Sequence, residues 1–379
     1  MPAIRHIETY AIVQNKPDYS WSPVMPDVLN TDTIIRLIDE NGVEGVSSVC
    51  TFTEYGVDKS VLESVRPLAF NLLRESEPDA ISFWDKMQHR RPGVTNSAIA
   101  AIDIALWDLQ ARRANLPLHK LLGGQKSDIA AYASVPILET PQAYIDLISE
   151  LRQTGFNCFK IHYKSQAKPD AALIKAVGDA HGNECGFMFD AENLYDEATA
   201  ADIATLMANY NFIWLEAPFN DHDWAAYHAL KTKGICPILP AGNSVVDVAH
   251  IRQAISANCW DAIRIDAATA GGITPSLEIF KLAQQAGLTV ECQSWGSSLS
   301  TAANLHLALA HDNSQYFEMP VPRGDFTLPG CCDFALSDNS TLKAPTSAGS
   351  GLEMNWDALA DDASVIMHYD ADTHHIIKA

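Results

Sequence analysis

Polar residues recur at a nearly constant interval along the chain after residue 124. Short apolar segments alternate there with helical segments, and each apolar segment closes on a polar or charged residue. The closing residues lie 23 to 30 positions apart. They are Lys160, Asp190, Glu216, Asn243, Asp266, Gln293 and Glu318. One strand plus one helix needs about this length, and repeats of that unit build parallel sheets.

An eighth strand is predicted just before this series, at residues 130–135. Thr140 followed by Pro141 is typical of a helix N-cap with proline in the first turn. Eight strands close a (β/α)8 barrel. An open doubly wound sheet is the alternative, but the regular spacing and the lack of a GxGxxG turn favour the barrel. We therefore predict an α/β chain whose residues 126–319 form a (β/α) barrel.

The first 125 residues have a different pattern. Residues 4–12 and 32–38 read as strands, and Asn41-Gly42 is a turn signal of the kind that joins hairpin strands. Residues 97–112 then carry apolar side chains at helical spacing. These features predict an α+β domain over residues 1–125. The loop-rich tail, residues 320–379, is expected to fold back and complete it.

Charge and cysteine content narrow the class of protein. The 379 residues include 26 Lys and Arg against 47 Asp and Glu, a formal charge of −21. Such acidity argues against nucleic acid or an anionic membrane as the main partner. The eight cysteines form no CxxC pair, and we find no secretory signal or transmembrane stretch. We expect a cytoplasmic homo-oligomer that acts on a small molecule.

Three consecutive predicted strands end in oxygen ligands. Asp190, Glu216 and Asn243 would converge at the carboxyl-terminal mouth of a barrel, where barrel enzymes place their chemistry. Two carboxylates and an amide suit Mg²⁺ and suit Zn²⁺ poorly. One such residue alone is more often a helix cap or a solvated turn, but three in succession favour a metal site.

Lys160 and His162 lie two residues apart on the preceding strand and therefore share a face. A lysine beside a divalent cation loses its proton more readily, and histidine titrates near neutrality. Either side chain could serve as a general base. The alternative is that both are rim residues that contact loop carbonyls.

Three motifs are similar to segments of the enolase superfamily, in its mandelate racemase/muconate lactonizing enzyme branch. Within that branch the chain resembles the acid-sugar dehydratases. Residues 101–108 (AIDIALWD) run into residues 116–124 (LPLHKLLGG), and both are similar to the family signature. Residues 214–218 (WLEAP) and 270–274 (AGGIT) are similar to two further family segments. The likeness covers nearly the whole chain.

The resemblance implies an α+β capping domain on a modified (β/α)8 TIM-like barrel that binds Mg²⁺. The shared chemistry is removal of the proton α to a carboxylate, with the metal stabilising the enediolate. By resemblance, Asp190, Glu216 and Asn243 are the metal ligands, and Glu318 contacts the substrate carboxylate or the enediolate. Asn243 replaces the usual Glu or Asp, and the lost negative charge leaves the metal more electrophilic.

Two further departures from the family bear on the reaction. The usual Lys-x-Lys is Lys160-Ile161-His162, and the histidine after the seventh strand is Gln293, although its Asp266 partner remains. Because Gln293 has no proton to exchange, a two-base racemisation loses one base. Elimination stays feasible, since one group can take the α-proton and then protonate the leaving hydroxyl on the same face.

Substrate selection in this family comes from capping-domain loops. The corresponding loops are residues 18–29, with Trp21, and residues 51–56, with Glu54 and Tyr55. Lys164 and Trp295 are further candidates for substrate binding, along with Gln293 and Asp266. The alternative for Trp21 and Tyr55 is ordinary packing between domains.

The preferred hypothesis is a Mg²⁺-dependent dehydratase, a carbon–oxygen lyase, acting on a hydroxylated carboxylate such as a sugar acid. His162 would be the base with Lys160 as its electrostatic partner, or the roles would be reversed. The alternatives are an epimerase, racemase or cycloisomerase of a similar acid, or a relative that binds metal and ligand without turnover.

Overall fold

The fold is described from a computed structural model. It covers residues 2–14, 19–24, 29–53, 59–89, 93–210, 212–337, 339–370 and 374–378. Within these ranges, no helix is both long and apolar enough to cross a membrane.

The strands found in these ranges fall into a capping sheet and a barrel. In chain order they are β1 Ile4–Val13, β2 Leu29–Asp39, β3 Glu44–Thr53, β4 Asp128–Val135, β5 Cys158–His162, β6 Gly186–Asp190, β7 Trp214–Glu216, β8 Ile238–Leu239, β9 Ala262–Ile265, β10 Thr289–Cys292, β11 Tyr316–Pro320, β12 Thr341–Lys343, β13 Val365–Tyr369 and β14 His374–Lys378.

The helices pack on the capping sheet and around the barrel. They are α1 Lys59–Leu72, α2 Ala80–Gln88, α3 Asn96–Arg113, α4 Leu118–Leu121, α5 Pro141–Gln153, α6 Ala167–His181, α7 Glu197–Ala208, α8 Trp224–Lys231, α9 Val248–Ser256, α10 Ala267–Ala270, α11 Ile273–Gln285, α12 Ser298–Ala310 and α13 Trp356–Asp362.

The capping sheet is antiparallel, with strand order β14-β13-β1-β2-β3. Strands β1 to β3 and helix α3 confirm the pattern predicted for the N-terminal residues. The Thr95 side chain caps α3 by accepting a hydrogen bond from Ala98 N. The tail contributes to both parts of the molecule, because β13 pairs with β1 while β12 pairs with β4. The division at residues 125 and 319 remains a prediction from sequence.

The barrel has the predicted eight parallel strands, β4 to β11, each followed by helix or loop. Hydrogen bonds join six of them in the order β11-β4-β5-β6-β7-β8, and β9 pairs with β10. The modified (β/α)8 barrel with an α+β cap is thus confirmed. The N-cap predicted at Thr140 is also confirmed, since its side chain accepts from Ala143 N.

Several strand ends differ from the prediction. Asp190 and Glu216 are the last residues of their strands, whereas Lys160 and Glu318 lie inside β5 and β11. Asn243 follows the end of β8 by four residues and lies in a turn. The strands at the mouth therefore end at different depths. The prediction missed this because an apolar run does not show where the hydrogen bonds between strands end.

A buried carboxylate ties the cap to the barrel. Asp103 of α3 accepts hydrogen bonds from the backbone N–H and the hydroxyl of Thr274, in the first turn of α11. Trp107, one turn further along α3, donates its indole N–H to the same hydroxyl at 3.0 Å. Gly272 has φ 119°, and a Cβ there would lie 2.2 Å from the Asp103 carboxylate. One cap side chain thus satisfies the free N–H of a barrel helix.

We expect the Asp103→Ala variant to lose about 2 kcal/mol of unfolding free energy, because the two hydrogen bonds from the partly buried Thr274 are lost. Calorimetry should show a lower Tm. The matched control is Asp202→Ala, on the exposed surface of α7, which should leave the Tm nearly unchanged. Equal Tm values for the two variants would show that the contact between Asp103 and Thr274 does not stabilise the fold.

Candidate active site

A buried lysine lies at the centre of the barrel mouth. The Lys160 Nζ is 3.3 Å from Asp190 Oδ2, 3.0 Å from Glu216 Oε1 and 2.9 Å from Glu318 Oε1. All four side chains are buried. Parallel strands bring these residues together because inward-facing positions of β5, β6, β7 and β11 point to one interior.

Arg264 of β9 is a second buried cation in the same cluster. Its Nη2 lies 2.9 Å from Glu318 Oε2 and 3.0 Å from Glu216 Oε1, and its Nη1 donates to the Tyr132 hydroxyl at 3.2 Å. The side chain is 1% exposed. The two cations and three carboxylates thus form one connected network, which low-dielectric surroundings make rigid.

The network keeps Lys160 and Glu318 charged. Burial favours the neutral amine, but the carboxylates of Glu216 and Glu318 outweigh it and hold the pKa of Lys160 well above its ordinary value. Burial likewise favours the neutral carboxyl of Glu318, yet Lys160 and Arg264 lower its pKa to about 2. Lys160 is therefore suited to pairing with an anion and poorly suited to accepting a proton.

His162 has one ring nitrogen engaged and the other directed at the site. Its Nδ1 lies 3.1 Å from the Val135 carbonyl oxygen, which can only accept, so Nδ1 carries a hydrogen. Its Nε2 lies 3.4 Å from Asp190 Oδ2. The Tyr144 hydroxyl donates to the His162 carbonyl oxygen and so holds the end of β5. Burial lowers the pKa of His162, but hydrogen bonding to Asp190 outweighs burial and raises it.

Glu192 also reaches this group. Its Oε1 lies 3.9 Å from His162 Nε2, and its backbone N–H donates to Asp190 Oδ1 at 3.0 Å. Burial and the nearby charge of Asp190 raise its pKa to about 7. His162, Asp190 and Glu192 offer ligand atoms that all lie within 4.8 Å of one another.

Asn243 is positioned by a buried aspartate. The carboxylate of Asp221 accepts from Ala241 N at 2.8 Å and from Asn243 N at 3.0 Å, which fixes the turn after β8. Gly242 adopts φ 73°, and a Cβ there would lie 2.6 Å from Arg264. The turn thus lies against the charged network, with the exposed Asn243 side chain at its outer edge.

The donor set at the mouth fits a hard divalent cation. The Asp190 and Glu216 carboxylate oxygens lie 3.3 Å and 3.0 Å from the same Lys160 Nζ, so both border one point of the mouth. Asn243, in the neighbouring turn, is the candidate for a third, neutral oxygen ligand. Oxygen donors with two charges suit Mg²⁺, which retains positions for water or substrate oxygens. Their roles as metal ligands remain a proposal.

Gln293 and Asp266 do not form a general base with an aspartate partner, as a histidine and an aspartate would. The Gln293 side-chain amide donates to the Ala241 carbonyl. Asp266 caps α10 by accepting from Ala268 N at 2.9 Å, and it also accepts from the Asn304 side chain at 2.8 Å. Burial raises the pKa of Asp266 to about 6. These contacts give both residues structural roles at the seventh and sixth strand ends.

Aromatic side chains from both domains form a wall beside the mouth. Trp21 of the cap packs edge-on against Trp295, with ring centroids 4.7 Å apart, and Phe326 packs on both. Lys164 instead places its Nζ 5.2 Å from the ring centroid of Tyr163, on an exposed rim. The predicted contacts Glu54 and Tyr55 lie outside the described residues.

The sequence interpretation did not include Arg264 or Glu192. Arg264 could have been found, because it lies two residues before Asp266 and strand alternation directs both toward the interior. Glu192 could not have been found this way. The strand ends at Asp190, and Glu192 takes a left-handed φ of 54°, where the alternation rule does not apply.

Comparison with protein families gives two matches. Residues 28–123 match the mandelate racemase/muconate lactonizing enzyme N-terminal domain, and residues 143–358 match the enolase C-terminal domain-like family. A solved structure from Pseudovibrio sp., described as a mandelate racemase/muconate lactonizing enzyme, superposes with a TM-score of 0.90. It is 31% identical and covers 97% of this chain and 99% of its own.

Curated relatives carry names of more than one reaction type. An L-talarate/galactarate dehydratase from Salmonella typhimurium is 29% identical over 293 residues, 75% of this chain and 72% of the relative. A D-Ala-D/L-Ala epimerase from Cytophaga hutchinsonii is 26% identical over 267 residues, 70% and 72% of the two chains. Both lyase-type and isomerase-type relatives are thus found at low identity.

Proposed function

Because this chain belongs to the enolase superfamily, in the mandelate racemase/muconate lactonizing enzyme branch, we propose that it is a Mg²⁺-dependent dehydratase of a hydroxylated carboxylic acid, with a sugar acid as substrate. The observation that carries the proposal is the position of His162 Nε2, a proton-accepting nitrogen directed at the mouth. His162 Nε2 faces the site, while the position opposite on the seventh strand holds Gln293, whose amide is bonded to Ala241.

His162 acts as the general base in this proposal, and Lys160 as a fixed cation. The Val135 carbonyl holds the tautomer in which Nε2 carries the lone pair. Lys160 has three carboxylates within 3.3 Å of its Nζ, which favour its charged form, and in this proposal the ammonium pairs with the substrate carboxylate. Of the two assignments left open by the sequence, the geometry supports this one.

Asp190, Glu216 and Asn243 would hold the metal. When bound, a divalent cation supplies Lewis-acid stabilisation of the negative charge that develops on the substrate carboxylate. Two side chains hold Glu216 in place. Arg264 Nη2 lies 3.0 Å from Glu216 Oε1, and the Trp214 indole N–H donates to Glu216 Oε2 at 3.1 Å. These contacts orient the ligand carboxylate before substrate enters.

Elimination then needs only one face of the substrate. His162 Nε2 removes the α-proton, and the bond to the β-hydroxyl breaks as the same nitrogen returns that proton to the departing oxygen. Water and an enol are formed, and the enol takes up a proton at C3 to give a 2-oxo-3-deoxy acid. An epimerase would need a second proton donor on the opposite face, which the Gln293 amide does not supply.

The test is incubation of the protein with Mg²⁺ and a panel of acid sugars, followed by mass spectrometry. We expect at least one acid to give a 2-oxo product lighter by one water, and no product after chelation of the metal. A product isomeric with its substrate would instead support the epimerase or cycloisomerase alternative.

A further inference from the structure

We propose that Glu192 selects substrates with one carboxylate over substrates with two, by accepting hydrogen bonds from hydroxyl groups beyond the reacting carbons. The inference rests on the proposed function, since it names the class of sugar acid used by the same site. The preferred substrates are polyhydroxy monocarboxylic acids, and dicarboxylic sugar acids are rejected.

The backbone directs Glu192 into the mouth. Its φ of 54° turns the chain immediately after β6, and the bond from its N–H to Asp190 Oδ1 fixes that turn. The carboxylate then lies 3.9 Å from His162 Nε2, with its side chain 24% exposed. A carboxylate in this place is next to the base, and it is open enough to meet a ligand.

The capping domain closes over the same carboxylate. The Ser22 side chain lies beside Glu192 and lowers the pKa of its carboxyl, against the larger rise that burial causes. Ser22 follows Trp21, whose indole N–H donates to the Ser134 carbonyl at 3.2 Å and whose ring packs on Trp295. Glu192 thus lies between His162 and the aromatic wall. A substrate whose α-carbon faces His162 extends its remaining carbons past Glu192.

The chemistry of a carboxylate in this position favours hydroxyl groups over a second anion. A carboxylate accepts hydrogen bonds from two neighbouring hydroxyls, and such charge-assisted bonds are strong. In the proposed function Lys160 pairs with the first substrate carboxylate, and Arg264 is already paired with Glu216 and Glu318. A second substrate carboxylate would therefore face Glu192 and aromatic rings, a repulsive and partly desolvated arrangement.

This preference differs from that named for one relative. The Salmonella typhimurium dehydratase is named for talarate and galactarate, which are dicarboxylic acids, and it is 29% identical to this chain. Other relatives, 23 to 26% identical, are named for rhamnonate, arabinonate and gluconate, which carry one carboxylate. Membership of the family therefore does not decide between the two classes, and the inferred preference rests on the position of Glu192.

The experiment compares matched acids, gluconate and galactonate against glucarate and galactarate. All assays are run with Mg²⁺ at one and the same pH. For the wild type we expect kcat/KM to favour a monocarboxylate by about tenfold or more. In Glu192→Gln we expect KM for that acid to rise about tenfold, and the discrimination against dicarboxylates to shrink.

The matched control is Glu197→Gln, an exposed residue in the first turn of α7, which should change neither quantity. Calorimetric titration with Mg²⁺ alone tests whether Glu192 is instead a metal ligand. If Glu192→Gln weakens Mg²⁺ binding by tenfold, Glu192 is a metal ligand and the inference is wrong.

Failure of the inference differs from failure of the proposed function. Faster dehydration of the dicarboxylates by the wild type would overturn the selection by Glu192 and leave dehydration standing. If no acid is dehydrated, the proposed function fails. Calorimetric binding of gluconate and glucarate then still tests the selection, and tighter binding of glucarate would overturn it.

Discussion

A His162→Asn variant is expected to lose turnover by about 10³-fold or more, because the proposed general base is removed. Asparagine keeps a side-chain N–H near the place of Nδ1, so the bond to the Val135 carbonyl can persist. Loss of activity would then come from the missing Nε2 and not from a displaced strand. Steady-state rates on the acid found by the panel provide the measurement.

Two further readouts separate chemistry from folding in this variant. The α-proton of the substrate should no longer exchange with D₂O, while Mg²⁺ binding by calorimetry should remain. The control is His228→Asn, on the exposed end of α8 away from the mouth, which should retain full activity. If His162→Asn still exchanges the α-proton at the wild-type rate, Lys160 or another group is the base.

An Arg264→Met variant is expected to lose about 3 to 5 kcal/mol of unfolding free energy, because it removes one of the two cations that neutralise the buried carboxylates of the network. Arg264 is 1% exposed and contacts both Glu216 and Glu318. Methionine fills similar space, so the cost comes mainly from the charge that remains. Chemical denaturation monitored by tryptophan fluorescence provides the measurement.

A second substitution tests this explanation. Combining Arg264→Met with Glu318→Gln removes one of the buried negative charges that Arg264 contacts. The double variant should therefore recover part of the unfolding free energy that Arg264→Met loses. The control is Arg252→Ala, since Arg252 pairs with Glu278 on the surface and exposed pairs contribute little. If the double variant is less stable than the sum of the two single changes predicts, charge pairing does not explain the role of Arg264.

The fold could be predicted because strand and helix periods differ and the repeat interval is regular. The same reasoning brought Lys160, Asp190, Glu216 and Glu318 to one place, as observed around the Lys160 ammonium. It was less accurate for Asn243, which lies in a turn four residues beyond β8. The turn depends on Asp221 and on the conformation of Gly242, contacts that periodicity does not report.

Contacts between distant segments account for the rest of the site. The choice between Lys160 and His162 as base depends on which partners each side chain finds. Lys160 meets three carboxylates, whereas His162 meets the Val135 carbonyl through Nδ1 and the Asp190 carboxylate through Nε2. Glu192 reaches the mouth through a left-handed residue, and Ser22 comes from the other domain. These arrangements are tertiary, and no local pattern predicts them.

The charge of the whole chain and the charge of the site carry different information. The formal charge of −21 would repel an anionic substrate at a distance. Within the mouth, Lys160 and the proposed cation would provide the local positive potential that one carboxylate needs. Glu192, which lies beside His162 at this mouth, is the reason to expect that a second substrate carboxylate is not accepted.

The most direct test of single-face dehydration is turnover by the wild type in D₂O, with NMR analysis of product and remaining substrate. We predict a 2-oxo-3-deoxy acid with one deuterium at C3, and remaining substrate with its original configuration at C2. Remaining substrate that is deuterated and inverted at C2 would show proton delivery to the opposite face, and it would contradict the account.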